Sequence, residues 1–238
     1  FQIGKAYRNE ISPRQGVLRT REFTQAEAQL FTLKHDENNF DKLDEITDDK
    51  LPLEPFGKKL QEISLKSALG KKILKKKIFA WKLFVAYKIV KDMGFDDKKI
   101  RIRQHNPSEL AHYASDAWDI EINTERFGWF EICGVHDRGD YDLKQHSKFS
   151  KTSLSAGNEY PTILEIAFGL ERPTYCLLES ALRHDKIREW LHFPIGLAPI
   201  DVAVFPLVKK DGLDKMSKNI FKDLDKEFIC IYDESGSI

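Results

Sequence analysis

Two runs near the start of the chain decide how it folds: Phe1-Gln2-Ile3-Gly4-Lys5-Ala6-Tyr7-Arg8-Asn9-Glu10, and Leu18-Arg19-Thr20-Arg21-Glu22-Phe23-Thr24-Gln25-Ala26-Glu27-Ala28-Gln29-Leu30-Phe31. Ser12-Pro13 and Gly16 between them are turn chemistry, so the pair predicts an antiparallel hairpin. Side chains alternate across a strand, which puts Arg19, Arg21, Phe23, Gln25, Glu27 and Gln29 on one face and Leu18, Thr20, Thr24, Ala26, Ala28 and Leu30 on the other. Arg8 and Glu10 share a face of the first run. Two arginines, an aromatic ring and a carboxylate on one strand face make a candidate site. A guanidinium fork grips phosphate through paired charge-assisted hydrogen bonds, and Phe23 offers a ring on which a purine stacks. ATP satisfies both; the competing reading is a solvated edge hairpin with self-paired charges.

Downstream, the texture changes over residues 32–108. Leu51-Pro52-Leu53-Glu54-Pro55 precedes a Lys-rich stretch and a helix with Leu74, Ile78, Trp81 and Val85 at helical spacing and Gly94 as its stop. The segment reads as an insertion between two parts of one sheet. Lys71, Lys72, Lys75, Lys76 and Lys77 are either a solvated face or a contact for RNA phosphate. Strand alternation returns at 117–123, with Trp118, Ile120 and Ile122 on the core side and Asp119, Glu121 and Asn123 on the polar side. A further strand is expected over Gly128–Val135, with a turn over His136-Asp137-Arg138-Gly139-Asp140. Pro161–Phe168 reads as extended, and Gly169 switches it into a helix running to about Arg183, with Pro173 allowed in the first turn. The last unit reads as one βαβ step: strand 201–207, helix 213–228, strand 229–232.

The 238 residues carry 41% hydrophobic content and a formal net charge of zero, so they can bury a core and project no global field toward nucleic acid or an anionic membrane. Cys133, Cys176 and Cys230 are far apart and lack CxxC spacing, which argues against a zinc ribbon or a disulfide framework and for a reducing, cytoplasmic setting. Cys133 and Cys176 read as buried small hydrophobes. His105, His112, His136 and His146 are scattered, without the helical spacing of a zinc site, and read as structural or RNA-side residues. No apolar run approaches a membrane span.

Phe1 through Arg14 with Arg21-Glu22-Phe23-Thr24-Gln25-Ala26-Glu27 resembles motif 2 of a class II aminoacyl-tRNA synthetase in its glycyl-tRNA synthetase form. Gly169-Leu170-Glu171-Arg172 resembles motif 3. The archaeal and eukaryotic branch is matched by Arg101-Ile102-Arg103-Gln104-His105, by 111–119, by Gly128-Trp129-Phe130-Glu131 and by 137–143; residues 198–237 are similar to the first half of its anticodon-binding domain. The resemblance implies an α+β fold: an antiparallel sheet flanked by helices, with a mostly helical insertion and a partial α/β anticodon-binding domain. The parts would be catalytic core over 1–31 and 109–193, insertion over 32–108 and anticodon-binding domain over 194–238. It implies activation of glycine with ATP to glycyl-adenylate and transfer to tRNA(Gly), magnesium as the companion of ATP, and a homodimer in the full-length protein. Arg8 would hold the α-phosphate and Arg172 the γ-phosphate, a catalysis of positioning and charge stabilisation. Asn9, Glu10, Arg19, Arg21, Phe23, Glu131, Ile132 and Gly169 would complete the nucleotide site. Glycine would meet Phe23, Gln25, Glu27, Arg138, Glu165, Ala167 and Gly169, with Glu27 and Glu165 around its ammonium and Arg138 near its carboxylate.

Two departures stand out. Where the family usually has Glu-Pro-Ser, this chain has Glu165-Ile166-Ala167, which removes a hydroxyl expected to touch glycine, at a cost of ~0.5–1.5 kcal/mol. Motif 1 and an upstream glutamate-containing loop should precede Phe1, and the closing Ser235-Gly236-Ser237-Ile238 reads as a turn, so the chain is expected to be a piece of a longer protein. The alternative function is a catalytically impaired paralogue that binds nucleic acid or a partner protein; a prolyl or threonyl specificity is a third reading.

Overall fold

The computed structural model describes residues 1–235, so of the turn expected at the end only Ser235 falls among the described residues. The first two runs form a hairpin: β1 (Gln2–Tyr7) lies antiparallel to β2 (Glu22–Thr32), with Ala6 opposite Phe23. Ala26, Ala28 and Leu30 pack on the core, as the alternation requires, and draw β2 into a larger sheet. Six more strands complete that sheet: β3 (Lys50–Glu54), β4 (Gln61–Ser64), β5 (Ile100–Gln104), β6 (Asp116–Thr124), β7 (Gly128–Gly139) and β8 (Thr162–Gly169). Its order is β1-β2-β8-β7-β6-β5-β3-β4. Among the described residues of this sheet, only the β3–β5 pairing is parallel.

Four helices accompany the sheet: α1 (Leu65–Gly70), α2 (Lys77–Asp92), α3 (Tyr141–Ser150) and α4 (Glu171–Ala181). Along α2, Phe79, Leu83, Ala86 and Val90 recur at three- and four-residue intervals and are buried, each large side chain contributing ~1.5–3 kcal/mol. The helix stops at Gly94, whose φ of 81° suits a residue without Cβ. Leu74 is buried but precedes the helix.

The segment 32–108, expected as an insertion between two parts of a sheet, supplies three strands of that sheet itself, β3, β4 and β5. Pro52 lies outside the Leu53–Glu54 stretch that pairs with β5. Lys76 is tied to Glu37 and Asp137, both at 2.8 Å, and is a structural cation rather than a free contact for phosphate. The turn expected at 136–140 is also corrected. β7 runs on through Gly139 because His136 and Asp137 pair with Glu165 and Leu164 of β8; an irregularity between Asp137 and Gly139 ends it, and α3, unforeseen, follows.

The polar side of β6 is not solvated. Asp119 and Glu121 are buried, and Arg101 and Arg103 neutralise them: Arg101 reaches Glu121 at 2.6 Å and Glu54 at 2.8 Å, while Arg103 reaches Glu121 at 2.8 Å, Glu109 at 2.9 Å and Asp119 at 3.1 Å. Buried carboxylates require such partners. Cys133 and Cys176 are buried, and burial pushes the Cys176 thiol up to about 12, which fits inert packing residues.

A short hairpin, β9 (Leu182–His184) with β10 (Glu189–Leu191), follows α4. The chain divides into two compact units, the second beginning at Leu191. That unit contains the expected βαβ step: β11 (Val202–Val204), α5 (Leu213–Leu224) and β12 (Cys230–Tyr232), the strands parallel.

Candidate active site

Three neighbouring strands present their polar face in register. Gln25 of β2 lies opposite Gly169 of β8; Glu27 lies opposite Ala167, which faces Gly134 of β7; Gln29 lies opposite Glu165, which faces His136. Successive rows stand about 7 Å apart, the two-residue step of a strand. The face forms one wall of a cleft of about 250 Å³ whose lining includes Arg8, Glu10, Leu18, Arg19 and Phe23 from the hairpin segment, and Glu131, Ile132, Arg138, Glu171 and Arg172 from later in the chain.

At one end of the cleft three arginines, Arg8, Arg19 and Arg172, stand among the carboxylates Glu10, Glu131 and Glu171. Arg8 lies over Phe23, 5.6 Å from the ring centroid. Arg19 pairs with Glu10 at 3.0 Å. Arg172 enters in the first turn of α4, where helical N–H groups add positive potential. It pairs with Glu131 at 2.8 Å and lies 5.3 Å from the Phe130 centroid. The start of α4 is fastened to β2: Thr24 donates its backbone N–H to Glu171 Oε1 at 2.8 Å, and Leu170 N–H donates to Thr24 O. Distant parts of the chain are thereby held across one gap.

At the other end the charges are acidic and interlocked. Glu165 accepts from Gln29 and from Arg138, each at 3.1 Å, and meets His136 Nδ1 at 3.3 Å. Burial works to raise its pKa, yet the His136 hydrogen bond and the charge of Arg138 hold it below the ordinary carboxylate value. Glu27 is raised, by burial first and then by the neighbouring Glu165. Arg138 also pairs with Asp142 at 2.7 Å and stacks on Tyr113, 4.3 Å from its centroid.

The cleft thus gathers Arg8, Glu10, Arg19, Phe23, Gln25, Glu27, Glu131, Ile132, Arg138, Glu165, Ala167, Gly169 and Arg172, residues singled out in the sequence. Asn9 and Arg21 are not in its lining; Arg21 instead donates to the Glu10 carbonyl at 2.8 Å and supports the hairpin end. Tyr113, Gly134, His136 and Glu171 line the cleft without having been singled out for it. His136 was hidden inside an apparent turn; only the pairing of β7 with β8 reveals it.

No family model matches the chain. Its sequence is 34% identical to a protein of Methanococcus vannielii named glycine-tRNA ligase, over all of this chain and 58% of that protein. Similarly named proteins of Thermococcus kodakarensis and Pyrococcus abyssi are 34% and 35% identical, again over all of this chain and 57% of theirs. The chain spans somewhat more than half the length of the curated relatives it matches. Among solved structures, prolyl-tRNA synthetase of Cryptosporidium parvum complexed with L-proline and AMP matches with a TM-score of 0.61 at 15% identity, over 100% of this chain and 41% of that one. Prolyl-tRNA synthetase of Giardia lamblia in complex with prolyl-adenylate matches with a TM-score of 0.59 at 17% identity, over 98% of this chain and 39% of that one.

The sheet, its flanking helices and these structural likenesses define a class II aminoacyl-tRNA synthetase catalytic fold. The prolyl likeness is one of fold alone. Within the class the sequence relatives decide, and the chain belongs to the glycyl-tRNA synthetase family.

Proposed function

We propose that the protein of which this chain is part is a glycine-tRNA ligase, activating glycine with ATP and transferring it to tRNA(Gly). One observation carries the reading: Arg8 and Arg172, far apart in sequence, line one cleft whose other end holds Glu27 and Glu165 beside Arg138. The arginine cluster suits a triphosphate and the Glu27–Glu165 pair an ammonium group, in the order that an adenylate-forming reaction needs.

In this reading the adenine stacks on Phe23, Arg8 holds the α-phosphate and Arg172 the γ-phosphate, with Glu10, Arg19 and Ile132 bordering the nucleotide. Arg21 acts from outside the cleft, by holding the hairpin end through the Glu10 carbonyl. The triphosphate takes the place of the carboxylates that now occupy Arg172 and Arg19, exchanging one charge-assisted pair for another. Magnesium would neutralise phosphate charge, and Glu131, freed from Arg172, is a hard oxygen donor that fits it. Glu27 and Glu165 receive the glycine ammonium beside Gln25, and Arg138 offers the guanidinium hydrogens not engaged by Asp142 and Glu165 to the carboxylate. Ala167 and Gly169 border the space where a side chain would lie. The carboxylate of glycine then attacks the α-phosphorus, and pyrophosphate leaves toward Arg172.

The second unit, from Leu191, is proposed to meet the anticodon loop, whose splayed bases suit an α/β surface. Homodimer assembly of the full-length protein and a cytoplasmic setting belong to the same reading; among the described residues no helix is long and apolar enough to cross a membrane. The test is ATP–pyrophosphate exchange by the full-length protein, expected to require glycine and not proline. No exchange at saturating glycine would favour the impaired paralogue.

A further inference from the structure

Beside the amino-acid end of the cleft, three neighbouring parts of the sheet bring together ligand-type side chains that the reaction does not use. His105 follows β5, Asp119 lies in β6 and His136 in β7, and their donor atoms all lie within 4.8 Å of one another. We infer that His105, Asp119 and His136 form a binding site for a divalent transition-metal ion of the zinc class.

The donor set points to that class. Two imidazoles and one carboxylate favour zinc or its neighbours over magnesium or calcium, which prefer oxygen alone. Zinc lies ~2.0–2.2 Å from such donors, so two of them can stand up to about 4.4 Å apart. The trio needs to close by no more than a few tenths of an ångström.

The surroundings supply what metal-bound histidine needs. A ligating imidazole ordinarily has its other ring nitrogen bonded to a carboxylate or carbonyl, which fixes its orientation. His136 directs Nδ1 to Glu165 Oε1 at 3.3 Å, which leaves Nε2 for the ion. Gly134 makes room for the ring: a Cβ there would stand 2.7 Å from His136 Cε1 and 2.9 Å from Nε2. Asp119 accepts from Arg103 at 3.1 Å through Oδ2, the oxygen that also meets His105, which leaves Oδ1 for an ion. That guanidinium does not make the site basic, because four carboxylates, Glu54, Glu109, Asp119 and Glu121, share two guanidiniums, Arg101 and Arg103. The bland reading is the His105–Asp119 hydrogen bond of 2.7 Å standing alone. It accounts for neither the third donor nor the carboxylate behind it.

His136 borders the proposed glycine site through Glu165, but the test reads metal binding alone and so stands apart from the ligase reading. The purified chain, stripped of metal, is titrated with Zn2+ by calorimetry and with Co2+ by visible absorption. One equivalent of Zn2+ should bind, Co2+ should develop a ligand-field band, and X-ray absorption of the zinc-loaded chain should show two imidazoles. His105→Ala and His136→Ala should each weaken Zn2+ binding by at least about tenfold, while His112→Ala, outside the trio, should not. The inference is overturned if the folded chain binds neither ion, if binding persists undiminished in both trio variants, or if the absorption data show no imidazole. The last readout needs no variant, so a misfolded substitution does not leave the question open.

Discussion

Ala167 sits in the cleft between Glu27 and Gly134, at a place where the family pattern puts a hydroxyl. Without it the amino-acid end has carboxylates and a guanidinium but one neutral donor fewer. Ala167→Ser should therefore lower the KM for glycine in the exchange reaction by about 2- to 10-fold, the worth of one hydrogen bond. An unchanged or raised KM would remove the proposed role of this position. At the opposite end, the proposed γ-phosphate role of Arg172 rests on a fork that a lysine lacks. Arg172→Lys keeps the charge and should reduce kcat by ~10²-fold or more while the urea midpoint scarcely moves, because the pair it makes with Glu131 is half-exposed and worth at most about 1 kcal/mol to the fold. Equal losses of activity and stability would mean a structural arginine.

Among the elements, α2 buries an ammonium. Lys82 is 4% exposed and donates to the carbonyls of Ala28 at 2.9 Å and Leu164 at 3.0 Å, so the helix is bonded to both β2 and β8 under the amino-acid end. Burial lowers its pKa from 10.5 to about 8, against the opposing pull of Glu165. Between those values the unfolded chain binds more protons than the folded one, so stability rises with pH across that window. Relative to Lys82→Met, the native chain should gain up to about 3 kcal/mol as pH climbs from 8 toward 10.5, read from urea midpoints of both. Parallel curves would contradict a buried, titrating lysine. In β7, Gly134 leaves the space that His136 fills. Gly134→Ala should cost ~1–3 kcal/mol with His136 present and much less in the His136→Ala background, a coupling that a double-mutant cycle reads directly. Much of this level was legible beforehand. Alternation in β2 and β6 exposed their apolar faces, whereas the stripe expected for α2 was misplaced: Ile78 is buried, but Trp81 and Val85 are half-buried and Phe79, Leu83, Ala86 and Val90 take the core side. The segment His136-Asp137-Arg138-Gly139 was not legible, because polar residues that face a cleft look like a turn until their partners on β8 are known. α3 was missed for a related reason: of its residues only Ser147 is buried, so it carries no apolar stripe to read.

For the whole molecule, sheet order does what sequence spacing could not. The strands that hold Glu27, Glu165 and Glu131 are scattered along the chain, and the order β2-β8-β7 sets them side by side. Motif resemblance supplied most of the cleft's residues in advance, whereas the His105, Asp119 and His136 cluster had no signal in linear spacing and emerged only from strand adjacency. The residues lining the cleft all belong to the unit that ends at Trp190, so the proposed nucleotide chemistry falls to that unit. In the proposed function, guanidiniums from the hairpin and from the first turn of α4 close on one triphosphate. The direct measurement is a crystal structure of the chain with a non-hydrolysable ATP analogue and glycine. Arg8 is expected on the α-phosphate, Arg172 on the γ-phosphate, the base against Phe23 and the glycine ammonium between Glu27 and Glu165. A nucleotide bound elsewhere, or one that leaves Arg172 paired with Glu131, would contradict it.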